Sequence, residues 1–248
     1  MIVATGLTKS YQRKKVLHGM SLTAQPGEIM LLVGPNGAGK STTLKLLTGL
    51  ARADGGEAFI AGEDILHEKL GAQRQLSFLP QTPNFHPRFT CAQIVDFYAR
   101  LRGIERPQRE AALSAAGLGE VAHEQTRTLS GGMRQRLGLA LLLLPDAPVL
   151  LLDEPGISLD PAWRRRLQGI LHDEARRGKT ILVTTHLIAE WNNVAHRCLL
   201  CRAGVVEREL DPANLPGDFE EEDASSQKPP AHGISGAADG AIPIIARG

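Results

Sequence analysis

Nine consecutive residues hold the densest chemistry in this chain: Gly34-Pro35-Asn36-Gly37-Ala38-Gly39-Lys40-Ser41-Thr42. Glycines let the main chain turn its N–H groups inward and approach phosphate oxygens closely. A lysine at the loop's end reaches the outer phosphates, and the hydroxyl after it suits Mg²⁺. A second cluster is Asp153-Glu154. Asp153 suits Mg²⁺, opposite Ser41 or through water, and Glu154 suits polarising an attacking water. His186 follows the run Thr180–Thr185 and is expected on the same edge as Asp153. Ser130-Gly131-Gly132 is a third feature, a serine N-cap followed by two glycines that leave first-turn N–H groups uncovered.

These residues need elements that place them together. Ile29-Met30-Leu31-Leu32-Val33 precedes the glycine loop and reads as a buried strand, and Thr43-Leu44-Lys45-Leu46-Leu47 behind it reads as a helix. Strand, loop and helix in that order give the phosphate motif its structural context. Val149-Leu150-Leu151-Leu152 and Thr180–Thr185 are continuous apolar or β-branched runs, as in strands buried on both faces. Adjacent carboxylates at the end of such a strand need charge partners. Asp160-Pro161 is an N-cap and first-turn pair, with Gly178 ending the helix.

Other stretches complete the outline. Ile2–Thr23 reads as short strands around a polar turn, Gln12–Lys15. Tyr11 could stack on a base, or could equally be a half-buried strand tyrosine. Arg74–Leu79 reads as a strand delivering Gln81 towards a ligand edge, although glutamines are also common at exposed strand ends. Thr90-Cys91-Ala92-Gln93 is a capping box, with Ile94, Val95, Phe97, Tyr98 and Leu101 at helical spacing after it. Gly103 and Pro107 should break that helix, and Arg109–Ala116 should form another. Residues from about 86 to 145 thus read as a helical subdomain inserted between strand-rich halves. Residues 198–210 read as a closing strand pair, and 216–248, rich in Glu, Ser, Pro and Gly, as a disordered tail.

The bulk properties restrict the alternatives. The 248 residues carry 28 Lys and Arg against 27 Asp and Glu, a net charge of +1. No global basic field points to nucleic acid, so anion binding has to be local. No leader peptide or transmembrane helix is expected. The three cysteines are too few for a disulfide framework. Cys198 and Cys201 have half-site spacing, but on a strand they would face opposite sides.

Taken together, these motifs resemble the ATP-binding cassette (ABC) ATPases over about residues 1–215. The resemblance implies an α/β fold: a P-loop (RecA-like) core with a mostly parallel sheet, an N-terminal antiparallel β subdomain and the inserted helical subdomain. It implies ATP and Mg²⁺. Gly34–Thr42 would be Walker A, Tyr11 the adenine-stacking aromatic, and Gln81 the Q-loop glutamine that also touches the metal. Leu129-Ser130-Gly131-Gly132-Met133 would be the signature, with Val149–Asp153 as Walker B. Glu154 would be the catalytic base, Asp160 the D-loop residue and His186 the switch histidine. Lys40, Gln81, Glu154 and His186 would be catalytic; Ser41, Gln81 and Asp153 would hold the metal.

Two such cassettes should sandwich ATP head to tail, most simply as a homodimer. They should dock on separate transmembrane subunits, with coupling helices in a groove near Gln81 and Thr82–Arg88. That places the protein in the cytoplasm, peripheral on the inner face of the membrane, with an exporter favoured. An importer subunit, a soluble ABC protein of translation or DNA repair, and a non-hydrolytic ATP switch are the other readings. One departure stands out: Gly156 occupies the place where the family commonly has Thr.

Overall fold

A computed structural model describes residues 1–213 and Leu215; the expected tail lies outside the described residues. The chain opens with two long antiparallel strands, β1 (Ile2–Tyr11) and β2 (Lys14–Ala24), joined by a turn of only Gln12 and Arg13. With β4 (Gly55–Ile60) and β5 (Glu63–Asp64) they make an antiparallel sheet of order β2-β1-β4-β5.

The second sheet positions the chemistry. Its strands are β3 (Ile29–Val33), β6 (Leu76–Leu79), β7 (Val149–Asp153), β8 (Thr180–Thr184), β9 (Arg197–Arg202) and β10 (Val205–Leu210), in the order β10-β9-β3-β8-β7-β6. All pairs are parallel except the β9–β10 hairpin at one edge. Every residue of β3, β7 and β8 is buried. Alternate residues serve two cores, which is why these runs are apolar except at their ends, Asp153, Thr180 and Thr184. Met30, Leu32, Leu151 and Leu182 face α1 (Lys40–Leu47) and the antiparallel sheet. Leu31, Val33, Leu150 and Val183 face α5 (Gly131–Leu143) and α6 (Pro161–Arg176). Cys198 and Cys201 fall in different cores, as the strand period requires.

A third core lies among α3 (Cys91–Arg102), α4 (Arg106–Ala115) and α5. Helix α5 is apolar on two faces because it belongs to both this core, through Leu137 and Ala140, and the sheet core, through Leu139 and Leu142. Thr90 closes its capping box with Gln93.

Three local expectations need correction. Arg74 ends a short helix, α2 (Lys69–Arg74), and the strand begins at Leu76, where its register with Val149 starts. The Thr90 helix does end at Arg102, with Gly103 as its C-cap, but the next helix begins at Arg106 and not at Arg109: Pro107 lies in the first turn of α4, where its missing N–H has no partner to lose. The expected apolar face of α3 is divided. Ile94, Val95 and Ala99 are buried, whereas Phe97, Tyr98 and Leu101 are 53%, 44% and 67% exposed.

Candidate functional site

The glycine loop joins β3 to α1. Three of its glycines take positive φ: Gly34, Gly37 and Gly39. At two of them a side chain has no room. A Cβ on Gly34 would lie 2.0 Å from the Cys201 carbonyl oxygen, and one on Gly39 would lie 2.5 Å from Leu17 Cδ2. At Gly37 the space is open. The β9–β10 turn buttresses the loop from behind, since Gly204 N–H and the Cys201 thiol both donate to the Ala38 carbonyl at 3.0 Å. Burial pushes the Cys201 thiol up to about 11, against the pull of the Lys40 charge.

Lys40 folds back over the loop, its ammonium donating to the Gly34 and Pro35 carbonyls at 2.6 and 3.1 Å. Burial lowers its pKa, and the nearby Glu154, Cys201 and Asp153 oppose the shift. The Ser41 hydroxyl donates to Asp153 Oδ1 at 3.1 Å. Thr184 Oγ1 donates to the same oxygen at 2.6 Å, and accepts from Glu154 N–H at 3.2 Å. Glu154 sits at φ +49°, a left-handed conformation, directly after β7. Its Oε2 accepts from His186 N–H at 3.2 Å and lies 2.8 Å from His186 Nδ1. Asn36 to Thr42, Val16, Gln81 and Glu154 line one cavity of about 200 Å³.

The structure therefore brings Lys40, Ser41, Thr42, Gln81, Asp153, Glu154 and His186 to one edge of the parallel sheet. Tyr11 ends β1 outside the cavity lining; the residue is 42% exposed, and its ring centroid lies 5.4 Å from Lys9 Nζ. Ser130, Gly131 and Gly132 stand elsewhere. Ser130 Oγ accepts from Met133 N–H at 3.2 Å as the N-cap of α5, and Ser130 and Gly131 are exposed. They pack beside the loop before α6: a Cβ on Gly132 would lie 2.9 Å from the Ser158 carbonyl oxygen. Within one chain, this helix start and the cavity are separate. Thr184 and Val16 were missed by sequence reasoning. Only strand register, Asp153 opposite Thr184, could have exposed the former.

The chemistry of this edge is that of a phosphate and hard-cation site. The loop offers N–H donors and an ammonium, and the Ser41 hydroxyl and Asp153 carboxylate are two oxygen donors of the kind Mg²⁺ takes. The residues fit both groups. A sequence profile of the family described as ABC transporter matches residues 17–156. This chain belongs to the ABC transporter family.

Among its relatives, the Nod factor export ATP-binding protein I of Burkholderia pseudomallei is 39% identical over 200 residues, covering 79% of this chain and 66% of that protein. The uncharacterized ABC transporter ATP-binding protein YhcH of Bacillus subtilis is 32% identical over 200 residues, covering 80% of this chain and again 66% of the relative. The chain thus spans just under two thirds of the length of these curated relatives. Among solved structures, the dimeric post-hydrolysis state of the cassette MJ0796, bound to ADP and Pi, superimposes with a TM-score of 0.80 at 27% identity, over 87% of this chain and 100% of that one. An ATP-binding subunit of an ABC transporter superimposes with a TM-score of 0.79 at 24% identity, over 91% and 92% of the two chains, a likeness of fold alone. The resemblance read from the motifs and the α/β architecture implied by it are both borne out by these matches.

Proposed function

We propose that this cassette binds and hydrolyses ATP to power transport through separate membrane subunits, acting as an exporter from the cytoplasmic face of the membrane. The observation that carries the reading is the continuous chain Ser41–Asp153–Thr184–Glu154–His186, set beside the Lys40 loop in one cavity. Main-chain N–H groups of Gly37–Lys40 and the Lys40 ammonium bind the β- and γ-phosphates. Tyr11 stacks on the adenine. Ser41, Asp153 and Gln81 hold Mg²⁺, which when bound neutralises phosphate charge. Glu154 accepts the proton of a water placed in line with the γ-phosphorus, and His186 fixes the Glu154 carboxylate and faces the same phosphate.

The separation of Ser130–Gly132 from this cavity supports a head-to-tail pair, in which the helix start of one copy covers the phosphates held by the other. A second cavity of about 370 Å³ supports a membrane partner. It lies between the sheet and the helical subdomain, with Leu50, Leu79, Pro83, Phe85, Tyr98 and Leu141 in its walls. Gln81 lines the first cavity while Pro83 and Phe85 line the second, so one short segment touches both nucleotide and docking groove. The naming of relatives for Nod factor export favours outward transport. The test is phosphate release by the purified protein. Glu154→Gln should abolish turnover while MgATP binding remains, and unchanged turnover would remove Glu154 from this role.

A further inference from the structure

Two helix starts lie side by side outside the lining of the Lys40 cavity. One is the Ser130 start of α5, and the other is the Asp160 start of α6, where Asp160 Oδ1 accepts from Trp163 N–H at 3.0 Å. At their tips, Gly132 and Ser158 approach so closely that a Cβ on Gly132 would lie 2.9 Å from the Ser158 carbonyl oxygen. Behind the tips, a second contact is built around Trp163. The Arg136 guanidinium, from α5, lies over the indole with its carbon 4.1 Å from the ring centroid, and Arg166 lies over it at 4.7 Å. Arg136 Nε donates to the Ala116 carbonyl at 2.9 Å, and its terminal nitrogen donates to the Gly117 carbonyl. A Cβ on Gly117 would be 2.6 Å from Trp163 Cζ2. One indole therefore meets α6, α5 and the end of α4. Burial and the neighbouring Arg166 hold the Arg136 pKa below its usual value, with Asp160 opposing the shift.

Two contact points fix an angle where one would leave a hinge. We propose that Trp163 is a positioning residue that locks the Ser130–Gly132 helix start to the Asp160 loop, so that both present one preformed surface to the nucleotide of a second copy. This rests on the head-to-tail reading above. It separates two properties: nucleotide binding at the Lys40 loop belongs to one copy, whereas pairing depends on the surface that Trp163 sets.

The experiment compares the parent with Trp163→Ala, Trp163→Phe and Trp163→Leu in full-length protein. Three quantities are read: MgADP affinity, turnover at saturating ATP, and the protein concentration at which ATP drives pairing in the Glu154→Gln background. Losing the two stacked guanidinium contacts should lower turnover about tenfold and raise the pairing concentration about tenfold. MgADP affinity should stay within about twofold of the parent. Phe keeps an aromatic face and should recover most of the loss, whereas Leu should not. If Trp163→Ala fails to fold, Arg136→Gln removes the cation from the stack and should shift pairing in the same direction. A paired, active parent with a Trp163→Ala variant equal to it would overturn the role of Trp163 alone. Equal losses of MgADP affinity and pairing would overturn it too, in favour of general structural support. A parent that neither pairs nor turns over ATP would overturn this role together with the reading beneath it.

Discussion

Replacing Thr184 with valine removes one hydroxyl and leaves the shape of the side chain almost unchanged. Thr184 is fully buried, and its Oγ1 donates to Asp153 Oδ1 at 2.6 Å while accepting from Glu154 N–H at 3.2 Å. The Glu154 N–H also bonds the Thr184 carbonyl at 3.0 Å, so valine orphans no donor there. Asp153 keeps the Ser41 hydroxyl at 3.1 Å. What is lost is one hydrogen bond to a charged acceptor, about 1.5–3 kcal/mol. Valine suits a strand, so no backbone term offsets this. For a domain of this size, at about 2–4 °C per kcal/mol, the loss should lower the melting temperature by about 3–12 °C. The functional loss should be larger than the stability loss implies, because this hydroxyl bridges Asp153 Oδ1 to the Glu154 N–H. A small displacement of reacting groups costs about tenfold to a hundredfold in turnover. Thr184→Ser, which keeps the hydroxyl, should stay near the parent in turnover. Differential scanning fluorimetry and a phosphate-release assay read the two effects. A Thr184→Val protein with parental melting and turnover would refute the argument that this hydroxyl organises the two carboxylates.

Other expectations follow from steric and ionisation arguments. Gly132→Ala should lower the melting temperature, because its Cβ would meet the Ser158 carbonyl at 2.9 Å, whereas Gly131→Ala, whose Cβ would lie 3.9 Å from Ser158 Cβ, should melt like the parent; equal melting of the two would contradict the packing described. Burial pushes the Cys198 thiol up to about 12 and Cys201 to about 11, from an ordinary 9.0. The folded protein thus favours the neutral thiols, a stabilisation complete below pH 9 and lost as pH rises through these values. Native protein at pH 8 should resist a thiol reagent that titrates three thiols after unfolding, and rapid native labelling would contradict the burial.

Much of this was legible because strong local signals agreed with tertiary demands. The runs at Ile29–Val33, Val149–Leu152 and Thr180–Thr184 are uninterrupted because both faces of the sheet are covered, and each delivers its polar group at the same edge. Caps at Thr90, Ser130 and Asp160 were readable because one side chain and one N–H three residues later determine each of them. Thr184 was not readable as a bridge, because its role comes from strand register across 31 residues of sequence. Phe97, Tyr98 and Leu101 share the helical period of the buried Ile94 and Val95, and period alone cannot tell a core face from an exposed one. Nor could spacing show that the Ser130 helix start stands apart from the Lys40 cavity.

That separation leads to the most direct test. Asn36 and Ser130 are exposed, and all three native thiols are buried. An Asn36→Cys, Ser130→Cys protein in the Glu154→Gln background can therefore be treated with a short bifunctional thiol linker, with and without MgATP. The account predicts linked dimers that join Cys at position 36 to Cys at position 130 of another copy, formed with MgATP and prevented by Lys40→Ala. Links that form equally without nucleotide, or that join position 36 only to position 36, would contradict it.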